Sequence, residues 1–250
     1  LGAYFLNLSF DENPAALVYN DPAFAIDPIA LWGVMGSLLL NDERWNIRAA
    51  LYDASNPNQW DEYNRGIDFK FNPAEGMLFV GQIDYLYPHG AGEGSRGSHL
   101  SMGMFVDTGK RPLLADPTIS QAGNVNFWLT AKHDFADFLS AQDQLTGFLT
   151  MTGAPQTSLN LLPFSVATGL AWAGILSERP SDALALGISY YLFSPYEPGQ
   201  SYEIAVELAY TLKLTPWMTI QPDLQGVIRP SGTGQIPSAL VVGFSTEIVF

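Results

Sequence analysis

The last thirteen residues, SALVVGFSTEIVF (238–250), alternate strictly. Leu240, Val242, Phe244, Thr246, Ile248 and Phe250 fall on one side; Ala239, Val241, Gly243, Ser245, Glu247 and Val249 fall on the other. A period of two is the mark of a strand with one apolar face, because successive side chains point to opposite sides of a sheet. The pattern recurs upstream and dictates an all-β chain. Tyr202, Ile204, Val206, Leu208, Tyr210 and Leu212 oppose Glu203, Ala205, Glu207, Ala209, Thr211 and Lys213. Similar alternation runs through 44–53, 99–107, 124–132 and 217–228, while 28–40, 144–152 and 183–194 are apolar or small on both faces. About twelve strands of roughly 9 to 13 residues result, close to the ~9 to 11 that a tilted strand needs to cross a bilayer.

The connectors are unequal and alternate. Short ones stand at 41–43, 178–182 and 214–216; longer, Gly/Pro-rich ones stand at 11–27, 54–75, 109–122, 153–163, 195–200 and 229–237. Tight turns on one side and long loops on the other are the asymmetry of outer-membrane barrels. The connectors 89–97 and 135–143 are long for the turn side, and a helical turn is expected in DFADFLSAQ (134–142). Leu1–Phe10 also alternates and reads as a first strand, ascending if the last one descends to the periplasm.

Charge separates a membrane barrel from a β-sandwich, which shows the same alternation. Only 14% of the 250 residues are charged and only 11 are Lys or Arg, against roughly a quarter charged in soluble domains. A water-exposed outer surface would be undercharged. Aromatic residues near strand ends (Tyr85, Tyr87, Trp172, Tyr190, Tyr202, Tyr210, Trp217, Phe250) suit the interfacial girdles of a barrel. No apolar run approaches the ~18 to 20 residues of a membrane helix. The formal net charge of −14 argues against nucleic acid and against docking on anionic lipid. The absence of Cys excludes thiol catalysis and Cys-based zinc sites. The three His show no metal-ligand spacing, GAGEGSRG has no following helix to cradle phosphate, and adjacent Ser98 and His99 would lie on opposite faces of a strand. No enzyme, metal or cofactor is expected.

Between residues 207 and 225 the chain carries Glu207, Tyr210, Thr215-Pro216-Trp217 and Gln221-Pro222-Asp223-Leu224-Gln225, followed by a proline-containing loop and a strand ending in Phe. This pattern resembles the C-terminal end of the carbohydrate-selective porins, the OprB family. Further stretches are similar in order: NDERWNIRAALYDASNP, NPAEGMLFVGQIDYLY, LSMGMFVDTGK and RPSDALALGISYYLFS, the last with Arg179, Pro180, Asp182 and Gly187. The resemblance covers roughly residues 28 to 250. It implies a sixteen-stranded barrel, so some four N-terminal strands and any preceding domain are expected to be missing from an otherwise single barrel domain. It also implies that the last strand, with Phe244, Ile248 and Phe250, is the signal read by the barrel-assembly machinery.

If apolar faces meet lipid and lipopolysaccharide, the opposite faces line a lumen. The candidates there are Arg48, Gln82, Asp84, His99, Asp107, Trp128, Lys132, Glu203, Glu207, Gln221, Asp223 and Gln225. Charged and amide groups that hydrogen-bond hydroxyls, with an aromatic face for C–H groups, form the inventory for a neutral sugar. The expected function is passive, selective diffusion of mono- or small oligosaccharides, with a homo-oligomer left open. Two alternatives stand beside it: a structural or docking barrel whose lumen is filled by loops such as 54–75 or 109–122, and a nonselective cation-preferring porin.

Overall fold

The computed structural model describes residues 4–10, 14–24, 32–54, 76–87, 98–135 and 144–249. The strands are β1 (Gly33–Leu40), β2 (Trp45–Asp53), β3 (Met77–Tyr87), β4 (Ser98–Pro112), β5 (Ser120–Phe135), β6 (Gln144–Gly153), β7 (Phe164–Ala173), β8 (Ala183–Leu192), β9 (Tyr202–Thr215), β10 (Met218–Ile228) and β11 (Ala239–Ile248). They form one sheet in sequence order, each strand antiparallel to the next. Tight hairpins follow from turn chemistry: Asn41, Asp42 and Glu43 all take positive φ between β1 and β2, a conformation that Asn and Asp tolerate best.

The expectation that Leu1–Phe10 is a strand is corrected for its described part. Leu8–Phe10 is a 3-10 turn and Ala15–Asn20 a short helix, α1. This N-terminal stretch lies against one face of the sheet, so the strands among the described residues number eleven, not about twelve. The loop expected over 109–122 is also shorter. Strands β4 and β5 run past a register shift between Asp107 and Lys110 and close at 113–119. The helical turn expected in 134–142 falls mostly outside the described residues, as do most of 54–75, 89–97 and Phe250.

Register assigns each side chain to a face, since paired residues in a ladder point the same way. One rung joins Arg48, Gln82, Gly103, Trp128, Thr152, Ser165, Tyr191 and Glu203. Another joins Lys132, Phe148, Gly169, Gly187, Glu207 and Gln225. From β2 to β10 this inner face is mostly polar or small where the N-terminal stretch does not touch it, whereas Met35 and Leu39 of β1 and Leu86 of β3 stand exposed on it. The outer face carries exposed Phe79, Met102, Phe127, Leu170, Leu186, Leu208, Val242 and Phe244. Apolar outside and polar within is the inverse of a soluble domain and suits a sheet bathed in lipid. Aromatic rings gather on it at the turn end, where Trp45, Tyr85, Tyr87, His133 and Phe135 follow one another with centroids 4.4 to 5.9 Å apart. Toward the loop end, Tyr190 stacks on Tyr202 and the Arg229 guanidinium sits 4.9 Å from the Tyr202 ring.

The sheet is curled. Strands lie about 4.8 Å apart, so a flat sheet would separate β3 from β10 by roughly 34 Å. The backbone from Asn7 to Leu17 contains a 3-10 turn and half of α1, and reaches only about 24 Å at the usual rises per residue. Yet Asn7 meets Gln225 of β10 while Leu17 packs in the cluster with Leu78 of β3. A curled wall around a short inner segment satisfies both.

Candidate lumen site

The inner segment is held at three places. The Glu207 carboxylate accepts the backbone N–H of Leu6 at 2.7 Å and of Asn7 at 2.9 Å. Asn7 Nδ2 donates to Gln225 Oε1 at 3.1 Å, and Gln225 Nε2 donates to Asp223 at 2.6 Å. Next, Phe5 and Phe10 pack edge-on against Phe148 over the small inner side chains of β7 and β8, Ala167, Ala171 and Ala185. Gly187 is required there, because a Cβ would stand 2.8 Å from the Phe10 ring.

The third anchor is polar. Asn20, at the end of α1, donates to Asn126 Oδ1 and to the Leu162 carbonyl, both at 2.9 Å, and accepts the Leu162 N–H. Asp21 accepts from Asn124 at 2.9 Å and faces Arg111, which also pairs with Asp107 at 2.6 Å. Asn160 bonds both Asn124 and Asn126. All of these side chains are buried, and every such group needs its partner. Arg111, Asn20, Asp21, Asn124, Asn126 and Asn160 were not singled out from sequence. The Asn-x-Asn alternation of β5 placed two of them on the inner face, but no local signal links them to residues 20 and 160.

Between the inner segment and the wall lies a cavity of about 350 Å³ lined by Arg48, Gln82, His99, Trp128 and Lys132 on the wall and Phe10, Leu17 and Phe24 on the segment. Trp128 rests directly on Gly103 of β4, where a Cβ would come within 2.1 Å of the ring. Its Nε1 donates to Gln82 Oε1 at 3.3 Å. Gln82 in turn donates to Asp84 at 2.6 Å, as does Ser101. Asp84 also takes Arg48 through Nε at 3.0 Å and Nη2 at 2.7 Å. Lys132 lies 3.8 Å from Asp134.

Five of the sequence-derived candidates, Arg48, Gln82, His99, Trp128 and Lys132, thus come together, with Asp84 directly behind Arg48. The others stand apart. Asp107 belongs to the Arg111 cluster, and Glu207, Asp223 and Gln225 dock the segment. Gln221 lies buried on β10 outside the cavity. Glu203 accepts the Ser231 N–H at 2.6 Å and lines a second cavity of about 420 Å³ with Tyr19, Tyr191 and Phe193. Glu203 and Glu207 are therefore separated, and Arg48 pairs with neither.

The Arg179–Asp182 motif does structural work in the β7–β8 turn. Arg179 pairs with Asp182 and donates to the Lys213 carbonyl at 3.1 Å. Asp182 also accepts Tyr210 OH at 2.8 Å and the Lys213 N–H at 3.0 Å. Burial pushes the Asp182 carboxyl upward, but the Arg179 and Tyr210 hydrogen bonds, the Lys213 N–H and the guanidinium charge outweigh it and hold it below its usual range. Among the described residues, no three His, Cys, Asp or Glu are grouped to hold a metal.

A curled antiparallel meander, apolar outside and polar around an occupied lumen, defines an outer-membrane β-barrel of the porin class. The chain belongs to the carbohydrate-selective porin family OprB, whose profile matches residues 1–250. Porin B of Pseudomonas aeruginosa is 24% identical over 168 residues, covering 58% of this chain and 37% of that protein. The high-pH structure of Pseudomonas putida OprB superposes with a TM-score of 0.74 at 17% identity, over 89% of this chain and 59% of that one. The low-pH structure of the same protein gives 0.56 at 15% identity, over 87% and 54%. The chain thus spans 37% to 59% of these relatives. The likeness to the solved structures establishes the barrel fold, and the family is one of channels.

Proposed function

We propose that this chain builds the wall of a pore through which small carbohydrates diffuse passively across the outer membrane, selected in the cavity between Trp128 and the inner segment. One observation carries the reading: Arg48, Gln82, His99 and Lys132 converge beside an indole ring fixed by Gly103, in about 350 Å³. Small-molecule sites combine an apolar wall with a few placed polar groups in such a volume. A pyranose offers apolar C–H groups to the ring and hydroxyls to the donors. The outer face then meets lipid and lipopolysaccharide, the apolar edge of β11 is read by the barrel-assembly machinery, and association of barrels is open to the same apolar surface.

Proteoliposome influx tests this with the full-length protein. Glucose entry that saturates with concentration, and that Trp128→Ala weakens, supports selection in the cavity. Rates ordered by solute size alone, with cations ahead of anions, favour a general cation-preferring pore. A second reading, a structural barrel, draws on the inner segment covering the lumen face from β3 to β10. The filling element is this segment; the 113–119 turn leans on its neighbour, Leu114 N–H to the Ser158 carbonyl. Absence of any solute entry from folded barrels supports that reading.

A further inference from the structure

We infer that the cavity favours hydroxylated carboxylates, the sugar acids, over neutral sugars of the same size; this rests on the carbohydrate reading above and narrows its substrate class. The whole chain is strongly acidic, with a net charge of −14, yet the cavity lining runs the other way. Among the described residues its ionisable lining groups are Arg48, His99 and Lys132, and none is acidic.

The carboxylates paired with these cations, Asp84 and Asp134, do not line the cavity. Asp84 accepts from Arg48, Gln82 and Ser101, and Asp134 accepts from Thr146 at 2.7 Å and lies near Lys132. Arg48 directs Nε and Nη2 at the same Asp84 oxygen, and among the described residues its Nη1 has no partner. Among the described residues Lys132 has a single 3.8 Å ion pair for its three N–H groups. The Gln82 oxygen is taken by the Trp128 N–H. Among the described residues the cavity therefore offers two cationic donors and no lining carboxylate. A ligand that brings acceptors, and above all a carboxylate, matches it best, because hydrogen bonds to a charged acceptor are about twice as strong as neutral ones. Because Asp84 and Asp134 do not line the cavity, the charges nearest a ligand there are those of Arg48 and Lys132.

Gluconate and glucitol make the test, since they share a six-carbon polyol chain and differ at one end. With the full-length protein in liposomes under a potassium clamp, gluconate is expected to half-block glucose influx at a concentration roughly ten-fold below glucitol. Lys132→Gln and, separately, Arg48→Gln should each narrow that ratio. Two variants guard against one that fails to fold, and single-channel openings verify each barrel. Saturable glucose influx with equal half-blocking concentrations overturns this inference and leaves the carbohydrate reading standing. So does a gluconate preference that survives both substitutions. If glucose influx does not saturate, the carbohydrate reading fails instead. The ratio is then read from block of the ion current, where a gluconate preference supports the inference and parity overturns it.

Discussion

The Glu207 carboxylate, wholly withdrawn from solvent, accepts the backbone N–H of Asn7 at 2.9 Å across 200 residues of chain. Its other oxygen takes the N–H of Leu6. A residue of the family's sequence pattern, expected on the lumen wall, is thereby the clamp for the segment that narrows the lumen.

Glu207→Gln leaves one acceptor and turns an amide donor toward a backbone donor. Hydrogen bonds to a charged group contribute about 1.5 to 3 kcal/mol, so docking of the inner segment should weaken by about that much. Planar-bilayer recordings should then show larger or noisier single-channel conductance, and protease should cut within residues 4–24 more readily. Unchanged conductance and unchanged proteolysis would sink the clamp.

Gly103 sets the attitude of Trp128. A Cβ at 103 meets the indole at 2.1 Å, whereas one at Gly81 on the neighbouring strand meets nothing within 4 Å. Gly103→Ala should displace the ring and cost about 1 to 3 kcal/mol of stability, with sugar half-saturation raised several-fold. Gly81→Ala should leave both readouts close to the parent. Equal behaviour of the two variants in stability and influx assays would contradict the argument.

Arg111 stands between Asp21 and Asp107, both fully buried. Removing the cation from such a group leaves uncompensated buried carboxylates, which costs about 3 to 5 kcal/mol. Arg111→Met should lower the urea midpoint accordingly, and adding Asp21→Asn and Asp107→Asn should restore part of it. No recovery in the triple variant would mean that the loss comes from packing and not from charge.

Asp182 carries a pH dependence with a definite sign. Its carboxyl is held below the ordinary value of 3.8, so its contribution is complete above that value and is lost as pH falls through the lower, folded one. The barrel's melting temperature should drop below about pH 4. Asp182→Asn should melt lower at neutral pH and decline less steeply in acid. Tyr210→Phe should show a weaker version of both effects. Parallel melting curves for parent and Asp182→Asn across this range would exclude the turn as a source of acid sensitivity.

Much of the wall was legible because its physics is local. Alternation in β2, β4, β5, β9, β10 and β11 assigned inner and outer faces that the register reproduces, Trp128 and Lys132 included. The N-terminal stretch was misread for the same reason. Phe5 and Phe10 are apolar residues in an alternating run, but they bury against Phe148 instead of meeting lipid, and alternation alone does not say which apolar environment receives a side chain. Inner-facing Leu78 and Phe105 break the polar-inside rule because they bury in one cluster with Leu17 of α1 and with Ala23 and Phe24 beyond it. The clamp, the Asn cluster and the pairing of Arg48 with Asp84 depend on contacts far apart in sequence, which no local pattern encodes.

The 201-residue separation between Leu6 and its acceptor also orders events in time. Contacts so distant in the chain are slow to form, because a long loop must close before they can. The inner segment stands 201 residues before its clamp on β9 and 218 before its Gln225 partner on β10. Phe5 and Phe10 must therefore wait for Phe148 and the small residues of β7 and β8 until the wall has curled far enough to receive them. The narrowing of the pore is thus a late step of maturation, and a barrel arrested before β9 and β10 are in place would be wider than the finished one.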